Sequence, residues 1–231
     1  MKPIAIIPAR GGSKRIPRKN IRLLAGKPAI AYPIELALKS ALFERVIVTT
    51  EDPEIASVAA EYGAEVPFKR SDELSDDNAS TIDVVSDAIT RLNLSKVDYI
   101  CSIYPITPLL STERLVQAFE LIRNNSWNYV FPACEYTTPI EKAFRKDKIE
   151  RLYPLTPEFM NFRTQDIAKS YFDAGQFYFG KTFAWQARLP IMAGNSTFIE
   201  LRRHEVFDID EEGDWDYLSK IMELAKGQLS R

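Results

Sequence analysis

The sequence predicts an α/β protein built on a mostly parallel sheet with helices on its faces. Three observations carry this expectation. Short, bounded apolar runs such as Ile4-Ala5-Ile6-Ile7 and Val46-Ile47-Val48 have the length and composition of buried parallel strands. Stretches with helical apolar spacing alternate with them, which is the order that βαβ units require. At 231 residues and 45% hydrophobic content the chain can bury one substantial core, and no linker-like shift in composition divides it. Residues 1–231 are therefore expected to form a single domain with an outgrowth.

The elements follow in order. Lys2 to Pro8 reads as the first strand. Gly26-Lys27-Pro28 turns the chain into a helix from Ile30 to Ser40, whose Ile30, Ile34, Ala37, Leu38 and Ala41 form an apolar stripe. Arg45 to Thr50 is the second strand. Asp52 caps a helix that has Pro53 in its first position, runs through Tyr62 and ends at Gly63. A short strand from Glu65 to Phe68 leads into the polar loop Lys69 to Ala79, and a helix from Ser80 to Leu92 follows. Val97 to Ile103 is a strand that Tyr104-Pro105-Ile106-Thr107-Pro108 stops at its C-terminal end, where open α/β sheets carry ligands. Beyond it lie a helix from Thr112 to Asn124 and a strand from Asn128 to Ala133. From Glu135 to Asp173 the alternation fails among prolines and aromatics, and the segment reads as a protrusion that packs on a second subunit. Gly175 to Phe179 and Thr197 to Arg202 are further strands, the latter feeding Val206 to Asp210. A helix from Trp215 to Lys226 closes the chain.

Charge and composition narrow the partners. The net charge of -2 makes any basic cluster local, which argues against a nucleic-acid-binding surface. Cys101 and Cys134 stand far apart without metal or redox spacing and read as buried reduced thiols of a cytoplasmic protein. No apolar run approaches the ~20 residues that span a bilayer, and no signal peptide opens the sequence, so a soluble cytosolic chain is expected.

Two constellations carry chemistry. After the first strand, Pro8 to Asn20 holds the cations Arg10, Lys14, Arg15, Arg18 and Lys19 with no acid, and Gly11-Gly12-Ser13 lets backbone N–H groups approach an anion. Neither common glycine-rich phosphate motif is present, so a polyphosphate reading rests on the cations. A cation and a phosphate ~4 Å apart near a surface attract by about 4 kcal/mol before desolvation, against roughly 0.3–1 kcal/mol for an exposed helix terminus. Arg10, Lys14 and Lys19 thus matter more than the helix that follows, although a run of charge can also be a plain solvated face.

The second constellation is Asp208-Ile209-Asp210. In an extended segment alternate residues face the same way, so Asp208 and Asp210 can meet one hard cation while Phe207 and Ile209 face the core. Mg²⁺ suits that pair, because it is commonly held by one or two carboxylates plus phosphate oxygens. The competing reading makes these acids solvated, as Glu211 and Glu212 are taken to be, with Asp214 as N-cap of the last helix. His204, the only histidine, has no partner carboxylate fixed by the sequence, and a structural or phosphate-contacting role is favoured over a general base.

With these pieces placed, nearly the whole chain resembles the cytidylyltransferases that activate nine-carbon 2-keto acid sugars, the CMP-sialic acid synthetase family. Pro8 to Asn20 resembles the family's nucleotide-binding signature, which places Ala9, Gly11, Gly12, Ser13 and Asn20 at the nucleotide, and Asp208-Ile209-Asp210 resembles its metal-binding pair. Arg70, Ala79 and Ser80 match positions that contact the cytidine moiety; without the resemblance Ser80 is a helix cap and Arg70 a surface residue. Phe162-Arg163-Thr164-Gln165-Asp166 and Tyr171-Phe172-Asp173-Ala174-Gly175-Gln176-Phe177-Tyr178 resemble segments of the pseudaminic acid branch. At Tyr104-Pro105-Ile106-Thr107-Pro108 the sialic acid enzymes usually carry Gln-Pro-Thr-Ser-Pro, a departure that turns the reading away from N-acetylneuraminate.

The resemblance implies a Rossmann-like nucleotidyltransferase fold with a dimerisation lobe at residues 135–173 and a homodimer. It implies CTP and an acidic nine-carbon sugar as substrates, with pseudaminic acid ahead of N-acetylneuraminate or legionaminate, and Mg²⁺ on Asp208 and Asp210. Arg10, Lys14 and Lys19 then serve the triphosphate. Tyr104, Arg163, Gln165, Tyr171, Asp173 and Gln176 then hold the sugar. A non-catalytic nucleotide-binding module is the distant alternative.

Overall fold

The computed structural model describes residues 2–76 and 78–229, with side chains through Leu224. Its elements in order are β1 (Ile4–Pro8), β2 (Leu23–Leu24), β3 (Lys27–Pro28), α1 (Ala31–Lys39), β4 (Arg45–Thr49), α2 (Pro53–Glu61), α3 (Thr81–Arg91), β5 (Tyr99–Ile103), α4 (Thr112–Arg123), β6 (Tyr129–Glu135), β7 (Phe144–Lys146), β8 (Leu152–Pro154), β9 (Tyr171–Asp173), β10 (Phe177–Lys181), α5 (Thr182–Gln186), β11 (Ser196–Leu201) and α6 (Glu212–Leu229). The main sheet has the order β11-β6-β10-β5-β1-β4, and β9 also pairs with β6. Five of its seven strands run one way, while β9 and β10 run against them. The expected mostly parallel sheet is thus present, with an antiparallel strand at its centre.

Period-two alternation along the strands divides the core. Ile4 and Ile6 of β1 face one side with Ile47 and Ile100, where Val85, Ala88 and Ile89 of α3 and Trp185 of α5 cover them. Ala5 and Ile7 face the other side with Val46, Val48 and Cys101, under Ile34 of α1, Ile55 of α2 and Leu115 and Ile122 of α4. Each of the larger aliphatic side chains among them, fully buried, gains about 1.5–3 kcal/mol over exposure. A third cluster stands off the sheet: Ile16, Leu24, Ala29, Ile209, Trp215 and Leu218 pack together. It joins the loop after β1 to the segment before α6.

Local chemistry explains most boundaries. Asp52 Oδ1 accepts the N–H groups of Glu54 and Ile55, with Pro53 opening α2 as the sequence predicts. Glu65 to Phe68 is not a full strand: it makes only isolated bridges, Ile47 to Glu65 and Thr50 to Lys69, and Pro67 has no N–H to continue a ladder. Gly26-Lys27-Pro28 belongs to a tight β2–β3 hairpin, whose turn residues Ala25 and Gly26 both have positive φ, before α1 begins. The last helix starts at Glu212 rather than Trp215. Asp214 is therefore not its N-cap but sits in the first turn, where its Oδ2 accepts the N–H groups of Asp210 and Glu211 at 2.8 and 2.9 Å.

The strand expected from Gly175 begins at Phe177. Between β9 and β10 the register on β6 slips, because Ala133 faces Asp173 whereas Val130 faces Phe179. Ala174 still donates to the Pro132 carbonyl at 3.0 Å, so the three-residue surplus falls between it and Phe179, and Gly175 takes φ +60° there. Residues 135–173 are not wholly irregular, since they carry the β7–β8 hairpin and end in β9. Ile140, Phe144, Ile149, Leu152 and Phe162 are exposed on this segment. Among the described residues no helix is long and apolar enough to cross a membrane.

Gly180 tests the packing at the sheet's centre. A Cβ there lies 2.6 Å from the Tyr129 ring and closer still to the Trp185 indole, and both side chains are fully buried. Gly180→Ala should lower stability by about 1–3 kcal/mol in urea unfolding, while Gly194→Ala, which points into open space, should stay within about 0.5 kcal/mol.

Candidate active site

The loop after β1 is held from several sides. Ile16 is buried in the third cluster, and the Asn20 side chain, itself buried, donates Nδ2–H to the Arg10 carbonyl at 2.8 Å and closes the loop on itself. Gly11 must be glycine because a Cβ would collide with the Asp52 carboxylate. Its N–H donates to Glu51 Oε1 at 2.6 Å, and Ser13 N–H donates to the Gly11 carbonyl at 3.0 Å. These two N–H groups are thus engaged within the protein instead of standing open to an anion.

The loop's cations divide their work. Arg18, at φ 55°, turns outward and pairs with Asp52 and Glu54 at the start of α2, so it fastens the loop. Arg15 Nη2 meets Asp210 Oδ1 at 2.6 Å. Lys19 is half-buried and its Nζ donates to the Ile209 carbonyl. Burial pushes the Lys19 ammonium below its ordinary range, opposed by the carboxylates of Asp210 and Asp208. Arg10 Nη1 donates to the Asp76 carbonyl at 3.0 Å, and Lys14 is exposed on the same side.

These groups border a cavity of about 580 Å³ at the C-terminal ends of β1 and β5. Arg10, Ser13, Lys14, Lys19 and Asn20 line it from the loop, and Arg70, Asp76 and Ala79 from the segment before α3. Tyr104, Pro105, Ile106 and Gly175 close one end, and Phe207 to Asp210 form the wall beside the cations. Asp208 and Asp210 are exposed while Ile209 between them is buried, as the alternation predicts. Two carboxylates from one extended segment thus share a cavity with a cluster of cations.

Other expected site residues stand elsewhere. Ala9 is buried in the core, and Gly11 and Gly12 lie in the loop without lining the cavity. Ser80 caps α3, its Oγ accepting Asp83 N–H at 3.1 Å. Gln176 is 5% exposed and lies behind the wall, with Nε2 donating to the Glu205 carbonyl at 2.6 Å. Asp173 accepts from the buried Tyr178 hydroxyl, which stands 3.4 Å from the Tyr104 hydroxyl; Tyr104 in turn lies 3.5 Å from Thr81 Oγ1. Burial, with Tyr104 and Asp173 adding to it, pushes the Tyr178 phenol upward, so it stays a donor. Tyr171 packs on Phe198, away from the cavity. Arg163 and Gln165 are exposed on the lobe and are not brought to this chain's cavity. His204 is exposed on a 3-10 turn, Arg203–Glu205, instead of a strand.

Two supports leave no local sign in the sequence. Glu51 follows β4 and was visible only as part of a helix start. Arg114 of α4 grips Glu205 with Nε and Nη2 at 2.8 and 2.7 Å, and Glu205 Oε2 also accepts Arg202 N–H at 2.8 Å. The pair steadies the chain just before Phe207. Arg114 holds the Glu205 carboxyl at about 2, against the upward push of burial.

A basic loop and an acidic pair around one cavity, at the C-terminal ends of parallel strands, define an α/β enzyme that handles nucleotides. The chain belongs to the cytidylyltransferase family, whose model matches residues 4–226. It is 43% identical over 224 residues to a pseudaminic acid cytidylyltransferase of Campylobacter jejuni, covering 96% of each chain. It is 42% identical over 238 residues to the CMP-N,N'-diacetyllegionaminic acid synthase of Legionella pneumophila, covering 99% of this chain and 100% of that one. In fold it is similar to a CMP:2-keto-3-deoxy-manno-octonic acid synthetase solved with CTP, at TM-score 0.74 and 18% identity over 97% of this chain and 100% of that one. The resemblance drawn from the motifs and the α/β fold class both stand, and the chain is an enzyme of the cytidylyltransferase class.

The Arg114–Glu205 brace has a pH signature. The Glu205 carboxyl is lowered in the folded chain, so its contribution is complete above its ordinary 4.5 and is lost as pH falls toward about 2. Arg114→Met should cost about 1–3 kcal/mol near neutral pH, and the gap from wild type should close below pH 4.5, as read by denaturant unfolding across that range.

Proposed function

We propose that the chain transfers CMP from CTP to the anomeric 2-hydroxyl of pseudaminic acid, releasing pyrophosphate. The observation that carries the reaction is the shared cavity of Arg10, Lys14 and Lys19 with Asp208 and Asp210. The acceptor follows from the similarity to the Campylobacter protein along 96% of both chains. The sugar oxygen bonds to the α-phosphorus as the α–β anhydride bond breaks, the hydroxyl proton is released, and the leaving electron pair stays on pyrophosphate. Chemistry of this kind asks mainly for positioning and for stabilisation of charge.

Each side chain then has a task. Arg10, Lys14 and Lys19 neutralise the triphosphate and the departing pyrophosphate. Arg70 and Ala79 border the nucleoside, with Ser80 fixing the start of α3 beside it. Tyr104 walls the acceptor end, backed by Tyr178 and Asp173. Gln176 acts through the Glu205 carbonyl rather than by touching the sugar.

The acidic pair fits Mg²⁺. Asp208 and Asp210 offer hard oxygen donors on one wall, and no group of three or more His, Cys, Asp or Glu stands ready to cage an ion among the described residues. That set suits an ion that keeps phosphate oxygens and water as its remaining ligands. When bound there, magnesium supplies charge neutralisation and polarisation of the α-phosphate. Lys19, held on the Ile209 carbonyl, stands beside both carboxylates.

Residues 1–231 work as one cytidylyltransferase domain, and two copies pair through residues 135–173. Pairing covers the exposed Phe144, Ile149, Leu152 and Phe162, and it presents Arg163 and Gln165 to a carboxylated acceptor. The buried free thiols of Cys101 and Cys134 suit the cytoplasm, where CTP is made. Legionaminate is the second reading of the acceptor, carried by the full-length similarity to the Legionella synthase.

Mass spectrometry of products from CTP, Mg²⁺ and a panel of nonulosonic acids tests the reading. CMP-pseudaminate should dominate, with pyrophosphate released in equal amount. Faster formation of CMP-legionaminate moves the assignment to that sugar, and no pyrophosphate from any acid removes the transferase reading. Asp210→Asn should lower turnover by about a hundredfold or more with an unchanged circular dichroism spectrum. Wild-type-like synthesis by that variant at limiting Mg²⁺ would remove the metal assignment.

A further inference from the structure

Glu51 lies between the two segments that form the nucleotide site, and the transfer chemistry does not use it. Its side chain is 19% exposed. Oε1 accepts Gly11 N–H at 2.6 Å, and Oε2 accepts Arg70 Nη2 at 3.0 Å. Arg70 is 3% exposed, donates through Nε to Ser75 Oγ at 3.1 Å, and is fixed at its backbone by Thr50. One carboxylate therefore touches the loop that carries the phosphate-binding cations and the arginine that borders the nucleoside end.

An anion beside a triphosphate loop opposes the ligand by simple Coulomb repulsion. Burying it adds a desolvation penalty unless its oxygens are met by charge-assisted donors. Both oxygens of Glu51 are so met, one by each segment, and this arrangement sets the distance between them. The Gly11 backbone runs close beside Asp52, where an added Cβ would collide with the carboxylate. Arg70 is held on its far side by Ser75, whose Oγ donates to the Ser71 carbonyl at 2.8 Å.

We infer that Glu51 is a positioning residue that couples the triphosphate half of the site, residues 10–19, to the nucleoside half, Arg70, Asp76 and Ala79. The inference rests on the CTP reading and adds what ties the two halves together. Without the tie, each half still binds its own fragment, but a ligand spanning both meets two segments that are no longer in register. The negative charge of Glu51 meanwhile weakens any ligand that touches the triphosphate half alone.

Calorimetric titration of CTP and of inorganic tripolyphosphate against wild type and Glu51→Gln separates the possibilities. Gln keeps the size and an acceptor for Gly11 but removes the charge that holds Arg70. CTP affinity should fall by about tenfold or more, while tripolyphosphate affinity stays within about twofold or rises. In turnover the loss should appear in KM for CTP, with KM for the acceptor within about twofold. Weakening of both ligands together would reduce Glu51 to general support of the loop, and strengthening of both would make it only a repelling charge; either overturns the coupling. Should Glu51→Gln not fold, Glu51→Asp keeps the charge and is one methylene too short to span both partners, so CTP affinity should again fall by about tenfold while tripolyphosphate affinity stays within about twofold. A wild-type chain that fails to bind CTP overturns the nucleotide reading itself, whereas normal CTP binding with parallel changes in the variants overturns the coupling alone.

Discussion

The site depends on one apolar contact. Ile16, in the loop after the first strand, and Ile209, near the start of the last helix, are buried in the same small cluster with Trp215 and Leu218. Burial of these side chains, at about 1.5–3 kcal/mol each, outweighs the electrostatic terms around it. The exposed Arg15–Asp210 pair, with side chains 68% and 52% exposed, contributes at most about 1 kcal/mol. Hydrophobic packing thus brings the cations and the carboxylates to one cavity, and the charges are carried along by it.

Around that contact the remaining supports are polar and local in effect. Arg18 ties the loop to the start of α2, Asp214 turns back onto the backbone of Asp210 and Glu211, and the Arg114–Glu205 pair fixes the approach to Phe207. Each acts on a backbone segment instead of on a ligand. The groups left facing the cavity can then be few and short-ranged, which suits a reaction whose demand is alignment of a phosphorus with an incoming oxygen.

Much of this was legible in the sequence, for identifiable reasons. Strands β1 and β4 are buried on both faces and so appear as short apolar runs, and Asp52-Pro53 marks a helix start by local chemistry alone. The Asp208-Ile209-Asp210 alternation needs only an extended backbone. What escaped depends on distant partners. Nothing near Gln176 announces that its amide holds Glu205, and nothing near Glu51 announces Gly11 and Arg70. The strand β9 was hidden because three residues pairing with β6 carry too little pattern to stand out from a proline-containing segment, and the three-residue slip after Ala174 breaks the alternation that would have joined it to β10. Asp214 looked like a helix cap because Asp serves at both the N-cap and the first turn; only the position of Glu212 decides.

The antiparallel strand at the centre of the sheet also shapes how the protein is made. β10 lies between β5 and β6, so those two strands have no partner on their facing edges until residues 177–181 have left the ribosome. Through that interval the nascent chain carries open, apolar strand edges of the kind that recruit other chains. The sheet closes by inserting a late segment rather than by adding one at its border, and such long-range pairing is slow. Synthesis of this enzyme therefore passes through a stage in which the facing edges of β5 and β6 stand open, and that stage ends only when the strand behind the cavity wall slots into place.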